Sequence, residues 1–244
     1  TKVNRLAGYE DLEDQGESMK RQFTTLIKYL DMLPLQLCYI DHVEADDVMA
    51  YAARHIFKNE VMIVSSDKDF LQLVDDRISV YLPTKKKLMK VDDVKEMYGV
   101  PSHNLIFYRM IDGDKSDNIE GVKGVGPKTI VNKLKFLQDS QLDMNTLMEN
   151  ISNMDDDKLK NKLIESSDKL KLNWDLMQLS DPDISSSIKS NVRGIVESPI
   201  NSLSSFSFKR EFMIDKLYTA FKNIETWLMN TWSDLDSYSK QTRK

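Results

Sequence analysis

Val43-Glu-Ala-Asp-Asp-Val-Met-Ala-Tyr-Ala-Ala-Arg-His-Ile-Phe57, followed by Glu60-Val-Met-Ile-Val-Ser65, decides the fold. The first stretch predicts a helix, because Val48, Ala52 and Ile56 fall on one face at helical spacing. The second is a short β-branched run leading into Ser65-Ser66-Asp67 and predicts a strand. Just upstream, Leu35-Gln-Leu-Cys-Tyr-Ile40 reads as another buried strand. Strand, helix, strand with short connections is the signature of a parallel α/β sheet.

Working outward, Ser18 to Met32 is an amphipathic helix carrying Met19, Phe23, Leu26, Ile27 and Leu30, stopped by Pro34. Downstream come a short helix (Asp69–Leu73), a strand (Ile78–Leu82), a lysine-rich turn into Leu88–Val91, and a helix over Val91–Tyr98 capped by Gly99. Pro101 opens a further helix through Ile111. After Gly126 strand signals fade, and Lys128–Phe136, Gln141–Ile151, Asp157–Leu172 and Phe208–Leu228 are expected as helices, with Asp181–Ser207 a loop-dominated stretch. The expected division is an α/β core over residues 1–103, a helical region with its supporting helices over 104–180, and a loop and helical region over 181–244.

Hydrophobic residues make up 41% of the 244 and charged residues 30%, the balance of a globular rather than a disordered chain. No apolar run reaches the roughly 20 residues of a membrane span, and the start has no signal-peptide core. Cys38 is the only cysteine and His42, His55 and His103 match no ligand spacing, so an internal disulfide or a thiolate metal cluster is excluded. The net charge of -5 speaks against non-specific nucleic-acid binding, yet the signs are separated. Lys115 to Lys135 holds five lysines against Asp117 and Glu120, and Lys85, Lys86, Lys87 and Lys90 form a second basic cluster.

The acids gather in three places. Glu44, Asp46 and Asp47 start a helix, where capping and the helix dipole alone explain one or two of them. Asp67 and Asp69 follow a strand directly, at the edge where open α/β sheets bind ligands. Asp114 and Asp117 lie in the turn-forming Asp112-Gly-Asp-Lys-Ser-Asp-Asn118, where Asx turns are the bland explanation. Taken together, carboxylates at one sheet edge repel unless cations neutralise them, and oxygen ligands without His or Cys suit Mg²⁺ or Mn²⁺. Two such ions roughly 3.5–4 Å apart can activate a water and stabilise the leaving oxygen of a phosphodiester, which requires acids and no protein nucleophile.

Asn118-Ile-Glu-Gly-Val-Lys-Gly-Val-Gly-Pro-Lys-Thr-Ile130 is the most specific stretch. Gly121, Gly124 and Gly126 permit close backbone approach or positive φ, and Pro127 suits the first turn of the helix that follows. The helix start, with Lys123 and Lys128, can take a phosphate without reading sequence. A turn serving only packing gives no reason for lysines between the glycines. A Walker A loop is absent.

These residues resemble the flap endonucleases and 5′–3′ exonucleases, including the 5′ nuclease domains of DNA polymerase I and phage ribonuclease H. The family's E-x-D-D, S-x-D-x-D and G-D-x-x-D-N-I-x-G-V-x-G-I-G-x-K-T read here as Glu44–Asp47, Ser65–Asp69 and Gly113–Thr129, with similarity through about Asp181. The resemblance implies a PIN/5′-nuclease-like α/β fold with a parallel-sheet core, followed by a helix-hairpin-helix and a helical C-terminal region. It implies that Glu44, Asp46, Asp67 and Asp69 serve one catalytic Mg²⁺ and Asp114 and Asp117 a second, with Asp47 close by and Mn²⁺ as a substitute. It implies DNA binding by Gly121, Lys123, Gly124, Gly126, Lys128 and Thr129, and potassium bound through the carbonyls of Val122 and Val125. Thr1-Lys-Val-Asn-Arg5 is similar to the family's Y-K-x-N-R, which puts Lys2 and Arg5 near a substrate phosphate.

The implied activity is hydrolysis of 5′ flaps, nicks or RNA primers during replication or repair, by a monomer in the cytoplasm of a bacterial cell or phage-infected host. Family members also carry an earlier strand ending in a metal-binding Asp and a second Asp in an F-D-G context; no such strand is found before Ser18. The three clusters are then the later-contributed part of the family's site. A catalytically incomplete DNA-binding fragment is the alternative. A PIN-type ribonuclease is a third reading, and it gives Gly121–Lys128 no role. The aromatic-rich Phe208–Leu228 is expected to pack a core, with docking of a replication protein as the other reading.

Overall fold

Strand β1 (Val61–Val64) pairs in parallel with β2 (Ile78–Leu82), in the register Val61↔Ile78 to Val64↔Tyr81. Alternation places β2: Ile78, Val80 and Leu82 are buried, and Ser79 and Tyr81 half-buried. Strand β3 (Lys87–Met89) returns antiparallel, Val80 opposite Met89, so the sheet has the order β1-β2-β3 and is mixed. This computed structural model describes residues 15–217 and 219–241. It divides into two compact units, Ile40–Arg193 and the described parts of 1–39 and 194–244.

In the first unit, α2 (Ala45–Tyr51) runs on through a π-helical turn over Ala52–Ile56, and Ala50 and Ala53 are buried there. Arg77, just before β2, donates from its guanidinium to the carbonyls of Ala53 (2.9 Å), Phe57 (3.0 Å) and Asn59 (3.2 Å). It thereby satisfies orphan carbonyls at the end of that helix and fixes the entry to the sheet. A 3-10 turn, Asp69–Leu73, buries Phe70, Leu71 and Leu73 right after Asp69. Each such side chain stabilises by about 1.5–3 kcal/mol. The turn is therefore a firm anchor for Asp69.

Helix α3 (Val91–Tyr98) ends at Gly99 (φ 71°), the left-handed C-cap its sequence predicts. Helix α4 (Leu105–Asp112) buries Leu105, Ile106, Phe107, Tyr108, Met110 and Ile111. It leads into the small hairpin β4 (Gly113–Asp114) and β5 (Ile119–Glu120). Helices α5 (Pro127–Lys133), α6 (Met144–Ser152), α7 (Asp157–Glu165) and α8 (Ser167–Met177) complete the unit. Buried amides cross-link it. Asn173 donates to the carbonyls of Met110 (2.8 Å) and Glu120 (2.9 Å), locking α8 to both ends of the segment that carries Asp114. Gln72 donates to the Met177 carbonyl and accepts from the Leu179 N–H, both at 2.9 Å.

The second unit packs α1 (Gln15–Leu30), α10 (Ser205–Ile214) and α11 (Ile224–Gln241) around Leu33, Phe208, Phe212 and Leu228. Tyr29, Phe208, Trp227 and Phe221 form a chain of ring contacts, Phe221 stacking on Trp227 at 4.5 Å between centroids. Phe208–Leu228 thus contributes to a core.

Four sequence expectations fail. No buried strand forms over 35–40: the described sheet runs β1-β2-β3 and offers this segment no ladder, and Tyr39 is exposed. The helix expected over Asp157–Leu172 is two, α7 and α8, broken at Ser166, whose N–H bonds the carbonyls of both Lys162 and Leu163. Phe208–Leu228 is likewise broken between α10 and α11, where Lys216 takes φ 56°. The stretch expected as loop contains α9 (Ser186–Glu197), whose apolar anchor Val192 is fully buried. Its Ser and Asn content masked that spacing.

Candidate metal centre

Asp67 and Asp69 leave the carboxyl end of β1 on a tight turn. The Ser65 hydroxyl accepts the Asp67 N–H at 3.1 Å, and an Asp67 carboxylate oxygen accepts the Asp69 N–H at 2.8 Å. One part of the structural explanation for Asp67 therefore holds, since it closes an Asx turn. The β4–β5 hairpin supplies the next acids. Gly113 adopts φ 82°, and a Cβ on Gly121 would lie 2.3 Å from the Asp112 carbonyl oxygen and 2.4 Å from that of Ile111. The two strands approach closely because both positions lack side chains. Asp114 accepts the Ser116 N–H at 2.7 Å and the Ser116 hydroxyl, which orients its carboxylate.

This geometry brings Asp69, Asp114 and Asp117 together, each offering an oxygen within 4.8 Å of the others. Arg109, on α4, reaches the same point and donates from one guanidinium nitrogen to both Asp69 and Asp114. Sequence reasoning missed it. Its signal was a single arginine inside the apolar run Leu105–Ile111, a setting in which a charge survives burial only when paired.

The acids of α2 divide. Asp46 is raised above the ordinary carboxylate range, by burial first and then by the charges of Asp67, Glu44 and Asp117. It belongs with the loop acids. Asp47 is also raised by burial, but the charges acting on it are Glu44, Asp46 and Asp183. Glu44 makes no side-chain capping bond to the helix it precedes, which removes capping as an explanation for that carboxylate. Asp69 is pushed up to about 6 by burial, with Asp67 and Asp114 adding to it, and the Arg109 guanidinium offsets only part. Burial acts upward on Asp114 too, but the Ser116 hydroxyl and N–H and the Arg109 guanidinium together hold it below its ordinary value.

Beyond β5, the glycine-lysine turn sits in the same unit. The Val122 N–H bonds the Ile111 carbonyl at 2.8 Å, and the Val122 carbonyl accepts the Val125 N–H at 3.0 Å. Val122 and Val125 bury their side chains, while Lys123 and Lys128 are exposed and Thr129 half-buried. The three glycines differ. Gly121 allows close approach, Gly124 takes φ 76°, and Gly126 has neither need. A cleft of about 710 Å³ runs from Asp67 past Arg109, Asp114 and Asp117 to Pro127, at the start of α5. Lys2 and Arg5 lie outside the described residues.

The donor set fits a hard divalent cation: all oxygen, converging, and left with excess negative charge after Arg109 is counted. This has a thermodynamic consequence. A carboxyl whose folded value lies above its unfolded one binds protons more tightly in the native state, so stability falls as pH rises between the two. Asp69 spans 3.8 to about 6, and Asp46, Asp47 and Asp112 shift the same way. Asp114 runs opposite, its gain arriving below 3.8, and so does His55, which burial lowers from 6.5 and which offsets part of the fall at the upper end. In chelator, the melting temperature is therefore expected to fall as pH rises from about 4 to about 7. At the upper pH, saturating Mg²⁺ is expected to restore a few degrees, since 1 kcal/mol is worth about 2–4 °C at this size. Melting curves that respond to Mg²⁺ no more than to NaCl of equal ionic strength would contradict a cation site here.

A family model described as 5′–3′ exonuclease, N-terminal resolvase-like domain, matches residues 2–99, and one described as 5′–3′ exonuclease, C-terminal SAM fold, matches residues 100–193. The thermostable DNA polymerase I of Thermus filiformis is 33% identical over 165 residues, 67% of this chain and 19% of that protein. The 5′–3′ exonuclease of Aquifex aeolicus is 34% identical over 140 residues, 55% of this chain and 48% of that protein. The flap endonuclease of bacteriophage T5, solved as a pseudo-enzyme-product complex with DNA and metal ions, matches with TM-score 0.59 and 23% identity. That match covers 80% of this chain and 76% of the other, and it is a likeness of fold. The chain spans about half or less of the length of these two curated relatives. Among the described residues no helix is long and apolar enough to cross a membrane.

Proposed function

This chain belongs to the 5′–3′ exonuclease family, and on that footing we propose that its acid cluster hydrolyses phosphodiester bonds near a free 5′ end of DNA, at flaps or RNA primers. One observation carries the reading: Asp69, Asp114 and Asp117 converge within 4.8 Å, and Asp114 and Asp117 line the cleft that reaches Pro127 at the start of α5. Asp69, Asp114 and Asp117 hold one Mg²⁺, and Asp46, Asp67 and Glu44 contribute to a second, with Asp47 further off. When bound, the ions polarise the phosphodiester and acidify a water. The chain's own residues orient and exclude. The Asx turn at Asp67 and the hairpin at Asp114 fix the carboxylates, and Lys123, Lys128, Thr129 and the backbone at Gly121, Gly124 and Gly126 hold a duplex phosphate without reading sequence. The carbonyls of Val122 and Val125 offer oxygen to a potassium ion.

The test is cleavage of a labelled duplex carrying a 5′ flap. The proposal expects short products released from the 5′ side in Mg²⁺, none in chelator, and none from a closed circle lacking a 5′ end. Binding of the flap duplex without cation-dependent cleavage would reject it in favour of a DNA-binding module.

A further inference from the structure

We propose that Arg109 is an internal counter-cation of the acid cluster, competing with the divalent ion for Asp69 and Asp114 and so setting the cation concentration at which the site loads. The inference rests on the metal-centre reading above and adds to it a residue that the motifs do not name. One guanidinium nitrogen donates to an oxygen of Asp69 and to an oxygen of Asp114, two of the three acids whose oxygens converge. The Arg109 side chain is only 12% exposed, so little solvent screens the pairing.

Arginine keeps its charge under all ordinary conditions, so it cannot yield by losing a proton. It must move or tolerate a like charge. Its Nε is buried without a hydrogen-bond partner, so the fork is engaged only at its outer end. A guanidinium saturated on all sides would be a fixed structural clamp; this one is held through the two carboxylates a cation would claim. In the cation-free chain it offsets part of their repulsion. On loading, it gives up those oxygens and turns within the cleft that Asp67, Asp117 and Pro127 also line.

A purely structural role makes the opposite prediction, which allows a clean test. Manganese is titrated calorimetrically into the whole chain and into Arg109→Gln, without DNA and at constant ionic strength. Removing a like charge beside the ion is expected to tighten Mn²⁺ binding about tenfold, roughly 1.4 kcal/mol. A structural clamp would instead loosen the carboxylates, so unchanged or weaker binding by a folded variant overturns the proposal. If Arg109→Gln does not fold, the wild-type chain decides. Its Arg109 Nε–Hε resonance is expected to shift on saturation with Mg²⁺, and a resonance that stays in place overturns the proposal. A wild-type chain that binds no divalent ion rejects the metal centre itself, an outcome distinct from equal binding by both chains.

Discussion

Asp69→Asn is expected to raise the melting temperature of the cation-free protein at pH 7 while lowering Mg²⁺-dependent cleavage of flap DNA by at least about 10³-fold. The two effects share one cause. Burial pushes the Asp69 carboxyl up to about 6, so its charged form is held at a cost at neutral pH. Asparagine has the same shape, still accepts from Arg109, and carries no charge. Discounted for partial exposure, the relief is on the order of 1–2 kcal/mol, or a few degrees. The loss of activity is larger because a ligand that touches the ion matters more than the outer-shell partners whose removal costs about 10–100-fold. Thermal melts in chelator and single-turnover cleavage check both halves. A variant that is less stable, or that cleaves within tenfold of wild type, would contradict the roles given to Asp69.

Gly121→Ala is the second large effect, and it acts through geometry alone. The added methyl would stand 2.3 Å from the Asp112 carbonyl oxygen and 2.4 Å from that of Ile111. Both are backbone atoms in a segment pinned by the Val122 N–H to Ile111 bond and by Asn173 on Met110 and Glu120. No flexible side chain can give way. The β4–β5 hairpin must open, at about 3 kcal/mol or more, the upper end of overpacking. Opening displaces Asp114, so the stabilisation by Mg²⁺ should vanish as well. Gly126→Ala is the internal control. Nothing lies within 4 Å of its Cβ position, and its change in stability should stay within about 0.5 kcal/mol. Equal melting temperatures for the two variants would contradict the packing described for Gly121.

The legible parts of the fold are those where one pattern dominates. Strand β2 alternates strictly, α3 has a glycine stop, and both lie where periodicity puts them. Residues 35–40 show the limit: the run is apolar, yet Tyr39 is exposed and the rest only half-buried, and a strand also needs a partner edge, which no local pattern encodes. Helix α9 shows another, since polar residues around Val192 look like loop until a neighbour covers that one side chain. At the site, the acids are visible as residue types and spacings because carboxylates for a hard cation must be Asp or Glu. What spacing cannot convey is which of them meet. Asp47 closes the E-x-D-D motif that Glu44 opens yet also feels Asp183, and Arg109 enters from a helix that reads as plain core.

The central claim is that Asp69, Asp114 and Asp117 are built to hold a divalent cation. Anomalous diffraction from crystals of the whole chain equilibrated with Mn²⁺ tests it most directly. The account predicts a manganese peak within coordination distance of oxygens from all three residues, with the Arg109 guanidinium withdrawn from Asp69 and Asp114. Peaks only elsewhere on the surface, or an Arg109 still bridging the two carboxylates with no ion between them, would contradict it.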